Sequence, residues 1–64
     1  MSEHDALVVL NAIAGVGPAT IKALAEFFGS AAEALAHDEG ALIASGIVKP
    51  QEARNIVHFL KDKF

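Results

Sequence analysis

The segment Ile13-Ala14-Gly15-Val16-Gly17-Pro18 lies between two apolar stretches of helical character, and it restricts the chain to folds that turn sharply at this point. Two glycines around one apolar residue allow positive φ angles and leave the backbone amides unshielded by side chains. Pro18 suits the first turn of a helix, where no hydrogen bond is lost through its missing N–H. The segment therefore predicts a tight turn into a helix N-terminus, where free amides and the helix dipole can hold an anion such as phosphate.

Length and composition point to one small packed protein. The 64 residues suffice for a single domain over residues 1–64, and the contents of 53% hydrophobic and 20% charged residues are those of a folded chain. Cysteine is absent, the N-terminal residues are acidic, and no apolar run could cross a bilayer, so we expect a cytoplasmic protein without a membrane partner. The net charge of -3 opposes long-range attraction to a nucleic acid.

Apolar residues at helical spacing predict an all-α fold of five short helices. We expect helices from His4 to about Ala12, from Pro18 to Phe28, from Ser30 to Ala36, from Asp38 to Ala44, and from Pro50 onward. Ser2, Ser30 and Asp38 are the expected N-cap residues. Because no Gly, Asn or Pro ends the last helix, we expect the chain to be a piece of a longer protein.

The turn and the helix after it occur twice. Gly15-Val16 aligns with Gly46-Ile47, and one extra residue in the second turn brings Pro18 over Pro50. We interpret this as two units of helix, turn and helix, packed face to face about an approximate twofold axis and joined by the helix at 30–36. In this alignment the β-branched Val48 replaces the second glycine, so we expect the second turn to bind phosphate less well.

The pattern resembles the tandem helix-hairpin-helix domains of DNA repair and recombination proteins, in which an apolar-Gly-apolar-Gly hairpin presents main-chain amides to DNA phosphates. Within that superfamily, Gly15 to Leu24 followed by Phe27-Phe28-Gly29-Ser30 looks most like the N-terminal domain of the DprA (Smf) family, as does Gly46-Ile47 with Pro50 to Ala53. The excinuclease subunit UvrC carries a similar tandem unit. The DprA resemblance implies a module that precedes a Rossmann-like domain, which binds single-stranded DNA and helps to load RecA in natural transformation.

Transferred by position, the resemblance implies phosphate contacts from the backbone of the first turn and from nearby cations. The expected DNA-binding residues are Gly15, Val16, Gly17, Thr20, Lys22, Lys49 and Arg54. At Ala19 and Thr20 the chain lacks the Lys or Arg common in stronger DNA binders, although a Thr hydroxyl can still bind a phosphate oxygen. We therefore expect weak, sequence-independent contact with the DNA backbone.

Each of these residues also has a structural interpretation. Gly15 and Gly17 can serve only a tight turn with close helix packing, and Lys22, Lys49 and Arg54 can be solvated side chains. On that interpretation the chain is a helical module that contacts a neighbouring domain or another protein and has little affinity for DNA. Fold alone does not separate these functions.

No pattern in the chain indicates catalysis. The three histidines are scattered, and no Ser or Cys is placed beside a His as a nucleophile requires, so we expect neither an enzyme nor a metal or cofactor site. The helical spacing of Phe27, Phe28 and Phe59 predicts packing in the core and between the two units rather than stacking on bases. Phe64 is expected to contact a neighbouring domain.

Overall fold

The structure is a computed structural model that describes residues 1–63, with side chains described through Asp62. It confirms the all-α prediction, since residues 1–63 contain five helices and no strand. The helices are α1 (Glu3–Ala12), α2 (Pro18–Phe28), α3 (Ala31–Leu35), α4 (Glu39–Ala44) and α5 (Pro50–Lys63). No helix in this range is long and apolar enough to cross a membrane. Phe64, predicted to contact a neighbouring domain, lies outside the described residues.

Three helices begin at the predicted caps. The hydroxyl of Ser2 accepts a hydrogen bond from the amide of Asp5 at 3.1 Å, and that of Ser30 accepts from Glu33 at 3.0 Å. Oδ1 of Asp38 accepts from the amide of Ala41 at 2.8 Å. Each cap satisfies one of the amides that a first helical turn leaves unpaired, which explains why α1, α3 and α4 start where they do.

The buried side chains form a core cluster to which all five helices and both turns contribute. Its largest fully buried members are Leu10, Leu24, Leu42 and Ile56, one from each of the four longer helices. The short helix α3 packs against both α1 and α2, while α5 packs against α4 and α1. In chain order, α3 lies between two helix pairs, α1 with α2 and α4 with α5, which is the element order that the sequence repeat predicted.

The structure pairs the residues of the two turns differently from the predicted alignment. The Gly17 carbonyl accepts the first helical hydrogen bond of α2, from Ile21 at 3.0 Å, and the Lys49 carbonyl accepts its equivalent in α5, from Ala53 at 2.9 Å. Gly17 therefore matches Lys49. The predicted replacement of Gly17 by Val48 is wrong, because Val48 is a buried turn residue like Val16, with 4% and 6% of their surfaces exposed.

Phe27 corrects a second prediction. Its side chain is 62% exposed and meets Phe28 edge to face, with ring centroids 4.9 Å apart, so it is not a core residue. Phe28 and Phe59 do pack against the core, as predicted. Consecutive residues of a helix point about 100° apart, and in α2 the core side is occupied by the stripe that ends at Phe28.

Candidate functional site

The N-terminus of α2 carries backbone amides that no side chain caps. Gly17 is the N-cap residue, with extended φ and ψ of -97° and 179°, and Pro18 occupies the first helical position. Among the described residues, the amides of Gly17, Ala19 and Thr20 have no hydrogen-bond acceptor. These donors lie at the positive end of the helix dipole, an arrangement that suits an anion.

Gly17 contributes open space rather than an unusual backbone angle. Its φ is one that any residue adopts, contrary to the expectation of a positive φ at both glycines. A Cβ at Gly17 would meet no atom within 4 Å. The absence of a side chain therefore leaves solvent access to the amides of Ala19 and Thr20, which a capping side chain would otherwise occupy.

The structure removes Val16 from the set of predicted phosphate ligands. Its amide donates to the carbonyl of Ile13 at 3.2 Å, which closes the turn, and its side chain is buried. An N–H already bonded within the turn is not available to a phosphate. Val16 is therefore a structural residue, and the donors move to the first turn of α2.

Gly15 has the positive φ that the sequence predicted, at +88°, but a carboxylate lies against it. Oε2 of Glu52 is 2.9 Å from the position that a Cβ on Gly15 would occupy. A side chain at Gly15 would thus be strained by its backbone angle and would also displace Glu52. At the same time, the carboxylate places negative charge beside the turn that was predicted to attract phosphate.

Glu52 connects the two turns. While Oε2 lies against Gly15, Oε1 accepts a hydrogen bond from the amide of Lys49 at 3.0 Å. The second contact is one half of a capping box, formed by the acidic residue at the third helical position and the N-cap amide. The position of Glu52 two residues after Pro50 could have predicted the contact with Lys49, whereas the contact with Gly15 depends on tertiary packing and has no local signal.

The predicted cations lie around these turns. Lys49 is exposed at the start of α5, and Lys22 and Arg54 are exposed at the fifth positions of α2 and α5, about one turn beyond the N-termini. None of the three forms an ion pair within the described residues. Thr20 is half-buried at the third position of α2. The side chains of all three cations therefore remain free to contact an anion.

The N-terminus of α3 shows how the chain itself uses such amides. Both oxygens of the Glu3 carboxylate accept hydrogen bonds there, from Ala31 and Ala32, each at 2.9 Å. These bonds, that from Ala32 most and that from Ala31 next, hold the pKa of Glu3 below its ordinary value. A helix N-terminus of this protein thus binds a two-oxygen anion where one is supplied.

Metal binding has no assembled site in the described part of the chain. No group of three or more His, Asp or Glu side chains there could hold a metal ion. Comparison of the chain with protein-family models, with curated proteins and with solved structures finds no significant match.

Proposed function

We propose that this protein is a non-catalytic module that makes weak, sequence-independent contact with the DNA backbone. The observation that carries the proposal is the uncapped N-terminus of α2, since Ser2, Ser30 and Asp38 cap α1, α3 and α4 from within the chain. A DNA phosphate supplies the acceptor oxygens that α2 lacks. The exposed Lys22, Lys49 and Arg54 add charge nearby.

The proposed context is a cytoplasmic DNA-processing or recombination protein of the DprA type, in which the module is tethered to a larger DNA-binding domain such as a Rossmann-like one. The support is the resemblance of the turn and helix motifs, together with a chain that has no cysteine. A tether raises the effective concentration of a second site, so an interaction that is weak alone becomes useful.

The expected strength follows from the charges. Neutralising two or three phosphates gives a slope of log K against log salt of about -2 to -3, and affinity near the weak end of nonspecific binding, about 0.1 mM. The net charge of -3 also repels DNA, and this long-range repulsion is screened least at low salt. Binding should therefore be measurable with the isolated chain only at high DNA concentration.

An NMR titration tests the proposal. We expect the amide resonances of Gly17, Ala19 and Thr20 to shift on addition of a short duplex or single-stranded DNA at low salt, and the shifts to decrease as salt increases. The amides at the start of α4 serve as an internal control, because Asp38 already caps that helix. The absence of shifts at millimolar DNA and low salt would refute the proposal.

A second function, docking to a neighbouring domain or another protein, is favoured by exposed apolar side chains. Met1 and Val8 are each 55% exposed and Phe27 is 62% exposed, so these apolar side chains are accessible to a partner. On this alternative the turns serve only the fold, and the same DNA titration leaves every amide unchanged.

A further inference from the structure

The contact between Glu52 and Gly15 affects how the proposed site binds an anion. We propose that Glu52 limits phosphate binding at the first turn, so that neutralising this one carboxylate tightens the contact with DNA. The inference rests on the proposed function, because it concerns the same turn. Glu52 weakens the site, whereas the free amides of α2 and the exposed cations form it.

One oxygen of the carboxylate is held by a hydrogen bond, and the other lies beside Gly15. Oε1 is held by the amide of Lys49 at 3.0 Å, and Oε2 lies 2.9 Å from the place of a Cβ on Gly15. Glu52 belongs to the first turn of α5. A phosphate that enters beside Gly15 therefore meets the negative charge of a carboxylate that the Lys49 amide holds in this position.

The charge around Glu52 is only partly balanced. Arg54 and Lys49 are the nearest cations in sequence, but their side chains are exposed and neither forms an ion pair with Glu52 in the structure. The carboxylate accepts from the backbone amide of Lys49 instead. Two like charges a few ångströms apart in water repel with an energy equivalent to about a fivefold change in affinity. Glu52 therefore accounts for part of the weakness expected of the module.

The test compares Glu52→Gln with Glu26→Gln. Glutamine keeps an oxygen that can accept from the amide of Lys49, so the half capping box is preserved while the charge is removed. Glu26 is exposed near the other end of α2, and its replacement changes the net charge equally at a distance from the turn. Circular-dichroism melting of both variants checks that the fold is retained.

We expect Glu52→Gln to bind a short duplex DNA about fivefold more tightly than the unmodified chain at low salt, with the difference decreasing as salt rises. For Glu26→Gln we expect a gain of less than about twofold, because the charge is screened over that distance. The amide shifts of Gly17, Ala19 and Thr20 report the binding in all three proteins.

The outcomes separate the inference from the function. Equal gains in the two variants would overturn the role of Glu52 and leave the DNA-binding proposal intact. If the unmodified chain shows no shifts but Glu52→Gln does, the proposed function is wrong for this chain and the effect of Glu52 is supported. If neither shows shifts, with DNA or with inorganic phosphate at the same amides, both are overturned.

Discussion

The side chain of Glu3, in the first turn of α1, accepts a hydrogen bond of 2.9 Å from the backbone amide of Ala31, in the first turn of α3. The two residues are 28 positions apart in the chain. The second oxygen of the same carboxylate binds Ala32. One carboxylate near the beginning of the chain therefore holds α3, the helix between the two helix pairs, against α1.

Replacing Glu3 should lower stability in a pH-dependent way. Since its pKa is lowered in the folded state, its contribution is fully present above the ordinary value of 4.5 and is lost as the pH falls through the lower folded value. We expect Glu3→Gln to melt at a lower temperature than the unmodified chain at pH 7, and the two curves to converge in acid. Asp5→Asn, which changes the same charge in the same turn, is the control. A pH-independent difference would contradict the assignment.

A capping side chain at Gly17 should stabilise the fold and reduce DNA binding at once. The angles at Gly17 suit an N-cap residue, and a Cβ there meets no neighbour. We expect Gly17→Asp to gain about 1 kcal/mol in unfolding free energy, since its carboxylate accepts from the free amides of α2. The same carboxylate excludes phosphate, so the NMR shifts with DNA should disappear. Gly17→Asn keeps a side-chain oxygen that can accept from the same amides but has no charge, so comparing it with Gly17→Asp separates the effect of hydrogen bonding from that of charge. Undiminished DNA binding by a stabilised Gly17→Asp would mean that DNA binds elsewhere.

The cations should act through the salt dependence of binding. Each phosphate contact that is lost reduces the slope of log K against log salt by about 0.9. We therefore expect Lys22→Gln and Arg54→Gln each to flatten the slope by about one unit, without a preference among DNA sequences. Lys61→Gln, exposed much further along α5, should leave the slope unchanged. Equal effects of all three replacements would indicate a response to net charge rather than local contacts.

Leu24 and Phe27 should differ sharply in their effect on stability, although both are apolar residues of α2. Leu24 is fully buried, and Leu24→Ala should cost about 2 to 5 kcal/mol through lost burial and the cavity it leaves. Phe27 is 62% exposed, and Phe27→Ala should cost at most about 1 kcal/mol, through its edge-to-face contact with Phe28. Urea unfolding followed by circular dichroism measures both. Similar losses would place Phe27 in the core.

The helices could be predicted because their signals are local. Ser2, Ser30 and Asp38 each accept from an amide three residues further on, and Pro18 and Pro50 each occupy the first position of a helix. Such contacts depend on residues within one turn, so the sequence contains the whole interaction. The start of every helix follows from patterns of this kind.

The site could be predicted only in part, because its decisive contacts depend on tertiary packing. The open turn and the positive φ of Gly15 were foreseen from the glycines. The approach of Glu52 to Gly15 and the hydrogen bond that occupies the amide of Val16 depend on how α5 and the turn come together. Composition and residue spacing do not determine such long-range contacts. For the same reason Val48, which resembled a replaced glycine, proved to be a buried turn residue.

The small helix α3 has only five residues, too few to persist as a helix in water by itself. It exists because Glu3 binds its first amides and because α1 and α2 cover it. An element that depends on both of its neighbours cannot melt separately from them or form ahead of them. Helices α1, α2 and α3 should consequently lose their order in a single all-or-none transition, and the packing of α1 against α5 joins the second helix pair to the same cooperative unit.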